Sequence, residues 1–178
     1  LLGVFEPVAA PWSVGGIPKG FSFGEITPDW DRMMPYLEAV MDRIPDVKNA
    51  GVHKLFCGPE SFTADAEPLI GETPELKNFF VAAGLNSLGI LLGGGVGQVM
   101  ADWIVNGLPY VDVTGINISR MAPFQNTPRY RKERTVEALG IIFEEPFHNR
   151  QYQTARGIRK SAFHEEMAAA GAYFGSYA

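Results

Sequence analysis

Asn78-Phe79-Phe80-Val81-Ala82-Ala83-Gly84-Leu85-Asn86-Ser87-Leu88-Gly89-Ile90-Leu91-Leu92-Gly93-Gly94-Gly95-Val96-Gly97-Gln98 decides how this chain is read. Its apolar opening predicts a short strand, Gly84 to Gly89 a turn, and the remainder a helix ending at Asn106-Gly107, with Pro109 beyond. Glycine in a helix interior costs about 1 kcal/mol relative to alanine, so Gly93, Gly94, Gly95 and Gly97 suggest something pressed against the helix. Gly89, Gly93, Gly97 and Ala101 recur every fourth residue and share one face. A face that bare admits either a closely packed neighbour or a flat cofactor, and the spacing leaves both readings open. The helix start carries unpaired N–H groups and the positive end of the macrodipole, which suits a developing negative charge. A dinucleotide phosphate loop fits less well. It needs G-x-G-x-x-G at the strand–helix turn and an acid about 20 residues on, whereas here the clustered glycines lie too far into the helix.

Outward from this stretch, Leu1–Phe5, Phe21–Ile26 and Val52–Cys57 read as strands. Thr27 is placed as an N-cap with Pro28 at the first helical position. Met33, Met34, Leu37, Val40, Met41 and Ile44 then recur at helical spacing up to Pro45. Leu69-Ile70-Gly71 is a brief apolar touch between loops. After Gly107 the pattern changes. Tyr110 to Gln125 is irregular, Thr127–Leu139 reads as a charged surface helix, Glu144 to Lys160 as loop, Phe163–Ala170 as a short helix and Ala172–Tyr177 as a strand. The boundary falls near Gly107, with an α/β to α+β core in 1–107 and a smaller mixed module in 108–178.

At 178 residues, 46% hydrophobic and 20% charged, the chain is an ordinary globular sequence. A net charge of -5 argues against nucleic acid as partner. The apolar run from Gly89 to Ile104 is broken by glycines, Gln98 and Asp102, which argues against a membrane span. A single cysteine, Cys57, leaves no internal disulfide framework and fits a reducing compartment. The chain opens on Leu rather than Met and closes on Ser176-Tyr177-Ala178, which reads as a piece of something longer.

The loop Cys57-Gly58-Pro59-Glu60-Ser61-Phe62-Thr63-Ala64-Asp65-Ala66-Glu67-Pro68 packs polar groups between apolar segments. Glu60, Ser61 and Thr63 are candidates to line a substrate pocket, a solvated proline turn being the plain alternative. Cys57 has no histidine or basic neighbour in sequence to activate it and reads as a small core residue. His53, His148 and His164 lack metal-ligand spacing, so no metal site is expected. There is no G-x-S-x-G elbow, and no catalytic residue is assigned. Arg129, Arg131, Lys132 and Arg134 read as a solvated helix face, and the arginines of Gln153–Arg159 as a surface turn or a contact to another domain.

Cys57–Thr63, Pro68-Leu69-Ile70-Gly71-Glu72, Phe80–Ser87, Gly93–Gly97 and Trp103–Gly107, followed by Arg156-Gly157-Ile158-Arg159 and His164-Glu165-Glu166, together resemble the sarcosine and dimethylglycine dehydrogenase family of flavoproteins. The resemblance covers nearly the whole chain and is most specific from Cys57 to Gly107. It implies a partial FAD-linked oxidoreductase fold: the end of a glutathione-reductase-like flavin lobe with part of the substrate-lobe sheet in 1–107. Residues 108–178 would be a central segment leading to a folate-binding, aminomethyltransferase-like domain. The family's phosphate loop and flavin-attachment region, and that folate-binding domain, have no counterpart in these residues. Asn86, Ser87, Leu88, Gly89, Ile90 and Leu91 would lie beside the isoalloxazine ring.

The implied chemistry is oxidation of an N-methyl amine, such as sarcosine or dimethylglycine, by hydride transfer to FAD. The one-carbon unit would leave as formaldehyde or pass to tetrahydrofolate, and electron-transfer flavoprotein is an expected partner. Some amine-oxidising relatives place a lysine for the substrate carboxylate near the start of this helix, where this chain has Ile90, Leu91 and Leu92. The resemblance also extends to a non-catalytic protein, the regulatory subunit of pyruvate dehydrogenase phosphatase. The implied compartment is the cytoplasm of a bacterium or the matrix of a mitochondrion.

Overall fold

The computed structural model describes residues 2–144 and 150–175. It divides into two compact units: Leu1–Val4 with Gly16–Glu60, and Phe5–Gly15 with Ser61–Ala178.

In the first unit the main element is helix α1, Trp30–Arg43. It starts later than the Thr27 cap expected from sequence, because Asp29 is the residue whose side chain accepts from an open N–H, that of Arg32 at 2.9 Å. Leu37 is its buried residue, and a 3-10 turn, Pro45–Asn49, follows. Phe21–Ile26 and Val52–Cys57, expected as strands, form no ladder among the described residues, and Phe23 turns into the left-handed region at φ 48°. The Ile26 N–H donates to the Cys57 carbonyl at 2.9 Å, and no paired strand grows from that bond. Apolar alternation encodes an extended backbone, whereas a strand also needs a neighbour to satisfy its amides. Residues 2–5 are likewise without strand pairing.

The second unit is built on an antiparallel hairpin, β1 (Leu69–Glu72) with β2 (Phe80–Ala83), in the register Leu69↔Ala83 to Glu72↔Phe80. Helix α2, Gly89–Asn106, follows the hairpin and ends on Gly107 in the left-handed region. Its inner face supplies Met100 and Trp103 to a core completed by Ile70 and Val113, with Phe80, Val96, Val99 and Ile116 around it. Ile70 is fully buried, worth about 2 kcal/mol by area. The brief apolar touch read at Leu69-Ile70-Gly71 is thus a core strand. Gly71 has φ +109°, and a Cβ there would overlap the Trp103 ring. Phe80 meets that ring edge-on at 6.3 Å.

After α2, the Ile70 N–H donates to Ile116 (2.9 Å), tying residues 113–117 to the hairpin. Helix α3 spans Pro128–Phe143 with Thr127 as its N-cap. It is less solvated than its charges suggest: Tyr130, Ala138 and Leu139 are buried, and a Cβ on Gly140 would overlap the Pro7 carbonyl. Helix α4 spans His164–Ala169. Residues 172–175 carry no strand, and the remainder of the strand expected at Ala172–Tyr177 lies outside the described residues.

Candidate functional site

The turn between β2 and α2 is a run of unusual backbone: Gly84, Asn86 and Ser87 have φ of 63°, 50° and 67°. Asparagine tolerates this region better than serine, and each non-glycine residue there costs of order 1 kcal/mol, so the surroundings must hold the turn. Asn86 does much of that. Its side chain is buried, 2% exposed. Its Oδ1 accepts from the Thr63 N–H at 2.8 Å and lies 3.2 Å from the Thr63 hydroxyl, while its Nδ2 donates to the Gly84 carbonyl at 2.7 Å. The Thr63 hydroxyl also donates to the Glu67 carbonyl at 2.9 Å. A Cβ on Gly84 would come within 2.5 Å of the Thr63 methyl, so glycine is required there twice over, by space and by φ.

The latch aims the start of α2. Leu88 flanks the helix and gives no side-chain cap, and the first intrahelical bond runs from the Leu92 N–H to the Leu88 carbonyl at 2.8 Å. The N–H groups of Gly89, Ile90 and Leu91 therefore stand at an uncapped helix start with the positive dipole end behind them. The Ile90 and Leu91 side chains are exposed, at 103% and 78%. Beyond them, a Cβ placed on Gly93, Gly94, Gly95 or Gly97 meets nothing within 4 Å. A Cβ on Gly89 would meet Leu85 at 3.6 Å, whereas from Gly93 to Gly97 no described residue packs on the glycines. The face is open.

The other sequence candidates are dispersed. Glu60 closes the first unit and Ser61 begins the second stretch of the other unit, and both are exposed. Thr63 is buried and is the partner of Asn86. Cys57 is half-buried with a free thiol, and His53 is exposed. His164 lies 4.2 Å from the Phe174 ring, while His148 is outside the described residues. The basic run on α3 is only partly a solvated face. Arg129 pairs with Glu133 at 2.8 Å in solvent. Arg134, one turn after Tyr130, instead turns inward and lies 3.9 Å over the Tyr152 ring. The Arg156 guanidinium donates to the Phe174 carbonyl at 2.9 Å and to Gln151 at 3.2 Å.

Glu67 and Glu137 are perturbed in opposite directions. Burial pushes the Glu67 carboxyl above its ordinary range, with neighbouring Asp65 adding to the effect and Arg120 opposing it. At Glu137 burial also favours the neutral form, but the Thr154 hydroxyl, the Gln153 and Thr154 N–H groups and Arg134 outweigh it and hold the carboxyl below the usual range. Among the described residues no helix is long and apolar enough to cross a membrane.

Residues 8–103 match the family described as FAD dependent oxidoreductase, and residues 106–161 match the FAD dependent oxidoreductase central domain. The 4-methylaminobutanoate oxidase (formaldehyde-forming) of Paenarthrobacter nicotinovorans is 38% identical over 98% of this chain and 21% of its own length. Human mitochondrial sarcosine dehydrogenase is 37% identical over 86% of this chain and 17% of its own. The mouse mitochondrial pyruvate dehydrogenase phosphatase regulatory subunit is 33% identical over 81% of this chain and 16% of its own. The chain thus spans about a fifth of the length of these relatives.

Proposed function

The chain belongs to the FAD dependent oxidoreductase family, and we propose that it forms part of an enzyme oxidising an N-methyl amine such as sarcosine or dimethylglycine. The observation that carries this reading is the open, uncapped start of α2 behind the Asn86–Thr63 latch. The residues fit a flavin: N–H donors face outward, no side chain of the described residues caps them, and the glycines behind leave room for a flat ring. Ser87, Leu88, Gly89, Ile90 and Leu91 would hold it, with backbone N–H groups toward the electron-rich ring edge. Asn86 would contribute through its backbone, since its amide side chain is spent on Thr63 and Gly84. When bound, FAD supplies a two-electron acceptor for hydride from the N-methyl carbon. The helix start would stabilise negative charge there, a role that needs no ionisable side chain.

In this reading residues 1–107 are the later part of the flavin and substrate lobes and 108–178 a central segment. The nucleotide-binding part and a folate-binding domain would lie elsewhere in the same protein. The segments at 21–26 and 52–57, joined by the bond from Ile26 to Cys57, would belong to a partial substrate-lobe sheet, and Glu60 and Ser61 are the substrate-side candidates. The carbon would leave as formaldehyde, as the name of the Paenarthrobacter relative says of that protein, or pass to tetrahydrofolate. Electrons would pass on to electron-transfer flavoprotein. A second reading, favoured by the match to the phosphatase regulatory subunit, is a non-catalytic regulatory protein of the same fold.

Two preparations test the placement of the flavin. The full-length protein carrying this chain should retain FAD through gel filtration, and the 178-residue chain by itself should not. Gly89→Leu in the full-length protein should abolish flavin reduction by crowding the ring; unchanged turnover would remove the helix start from the site.

A further inference from the structure

The turn that faces the proposed flavin is held by Thr63, and Thr63 is itself held from a distant part of the sequence. Arg120 ends a 3-10 turn, Ile118–Arg120, in the segment matched by the central-domain family model. Its guanidinium grips Asp65 as a fork, Nε to Oδ2 at 2.7 Å and Nη2 to Oδ1 at 2.9 Å. Both side chains are largely buried, 17% and 13% exposed. Nη2 also donates to the Glu67 carbonyl at 2.9 Å, and Nη1 to the Asn117 carbonyl at 3.1 Å.

The Glu67 carbonyl is the shared point, because it accepts from the Thr63 hydroxyl as well. A continuous path of bonds therefore runs from Arg120 through Asp65 and Glu67 to Thr63, and from Thr63 to Asn86 in the turn. We propose that Arg120 is a positioning residue for the flavin-facing turn, so that the central segment sets the conformation of Gly84–Leu91 rather than merely connecting domains. This rests on the flavin reading above for the name of what the turn faces. The coupling has a physical reason to matter. With Asn86 and Ser87 both left-handed, the turn is strained and relaxes when its external holds are weakened. The core of Ile70, Met100, Trp103 and Val113, together with the bond from Ile70 to Ile116, joins the same segments independently. Losing Arg120 therefore leaves the hairpin and α2 packed.

The test is Arg120→Met in the full-length protein, read by amide hydrogen exchange and by the reduction potential of the bound flavin. The Thr63 and Leu88 amides should exchange about tenfold faster, the scale of one lost charge-assisted bond, while the β1–β2 ladder amides keep their protection. The flavin potential should shift with them. Arg120→Lys, which keeps charge but not the fork, should restore part of both effects. Asp65→Asn, isosteric and without the ion pair, should reproduce them if Arg120→Met fails to fold. Unchanged exchange at Thr63 and Leu88 overturns the proposal, as does a loosened turn with an unmoved potential. A protein that takes up no FAD refutes the flavin reading, while the exchange data still decide whether Arg120 governs the turn.

Discussion

Asn86 makes the turn possible, and its loss should be measurable in stability. Asn86→Ala leaves the buried Thr63 N–H without its acceptor and removes the side chain that bridges back to Gly84. A loss of about 1–3 kcal/mol is expected in urea denaturation of the full-length protein; a change within a few tenths would show that the latch is not required. Glu137 offers a second residue-scale test, through pH. Its carboxyl is held below the ordinary 4.5 in the folded state, so its contribution is present above that value and lost as pH falls through the lowered one. In NMR titrations the Gln153 and Thr154 amide signals should move below pH 4.5 and stop doing so in Glu137→Gln; movement centred above that value would contradict the assignment. Sequence made Asn86 visible through its place in the Gly84–Gly89 turn. The roles of Thr63 and Arg120 were not visible, because their bonds span 23 and 55 residues and no local pattern encodes them.

At the scale of elements, α2 carries the account. Its strand, turn, helix and Gly107 stop were all legible, because caps, glycines and apolar runs act locally. What the glycines are for was not, since only a structure shows that nothing of the described chain meets Gly93, Gly94, Gly95 and Gly97. That yields a paired expectation for Gly93. Gly93→Ala has open space and gains helix propensity, so α2 should become more stable by up to about 1 kcal/mol in the 178-residue chain. Gly93→Leu in the full-length protein should instead lose retained FAD, measured as flavin released per protein on denaturation. Full flavin content in that variant would leave the bare face without a function. The strands expected at Phe21–Ile26 and Val52–Cys57 failed for the opposite reason: their residues favour extension, but a ladder partner is a tertiary fact. Gly71 is similar. In sequence it only ends the apolar touch Leu69-Ile70-Gly71, yet it admits the Trp103 ring, so Gly71→Ala should cost at least about 1 kcal/mol through φ and overlap combined.

At the scale of the whole molecule, two units with few buried side chains in the first fit a chain that represents about a fifth of the length of its relatives. The family could be read from motifs in their order, because sequence likeness needs no contact information. The arrangement around a substrate could not, since Glu60 and Ser61 are exposed residues in different units. We propose that this chain helps build a flavin site that oxidises N-methyl amines. It is tested most directly by anaerobic titration of the full-length protein with N-methyl amino acids, following the flavin absorbance. At least one of sarcosine, dimethylglycine and 4-methylaminobutanoate should bleach it. A protein that binds no FAD, or whose flavin stays oxidised in the presence of all three, would contradict it.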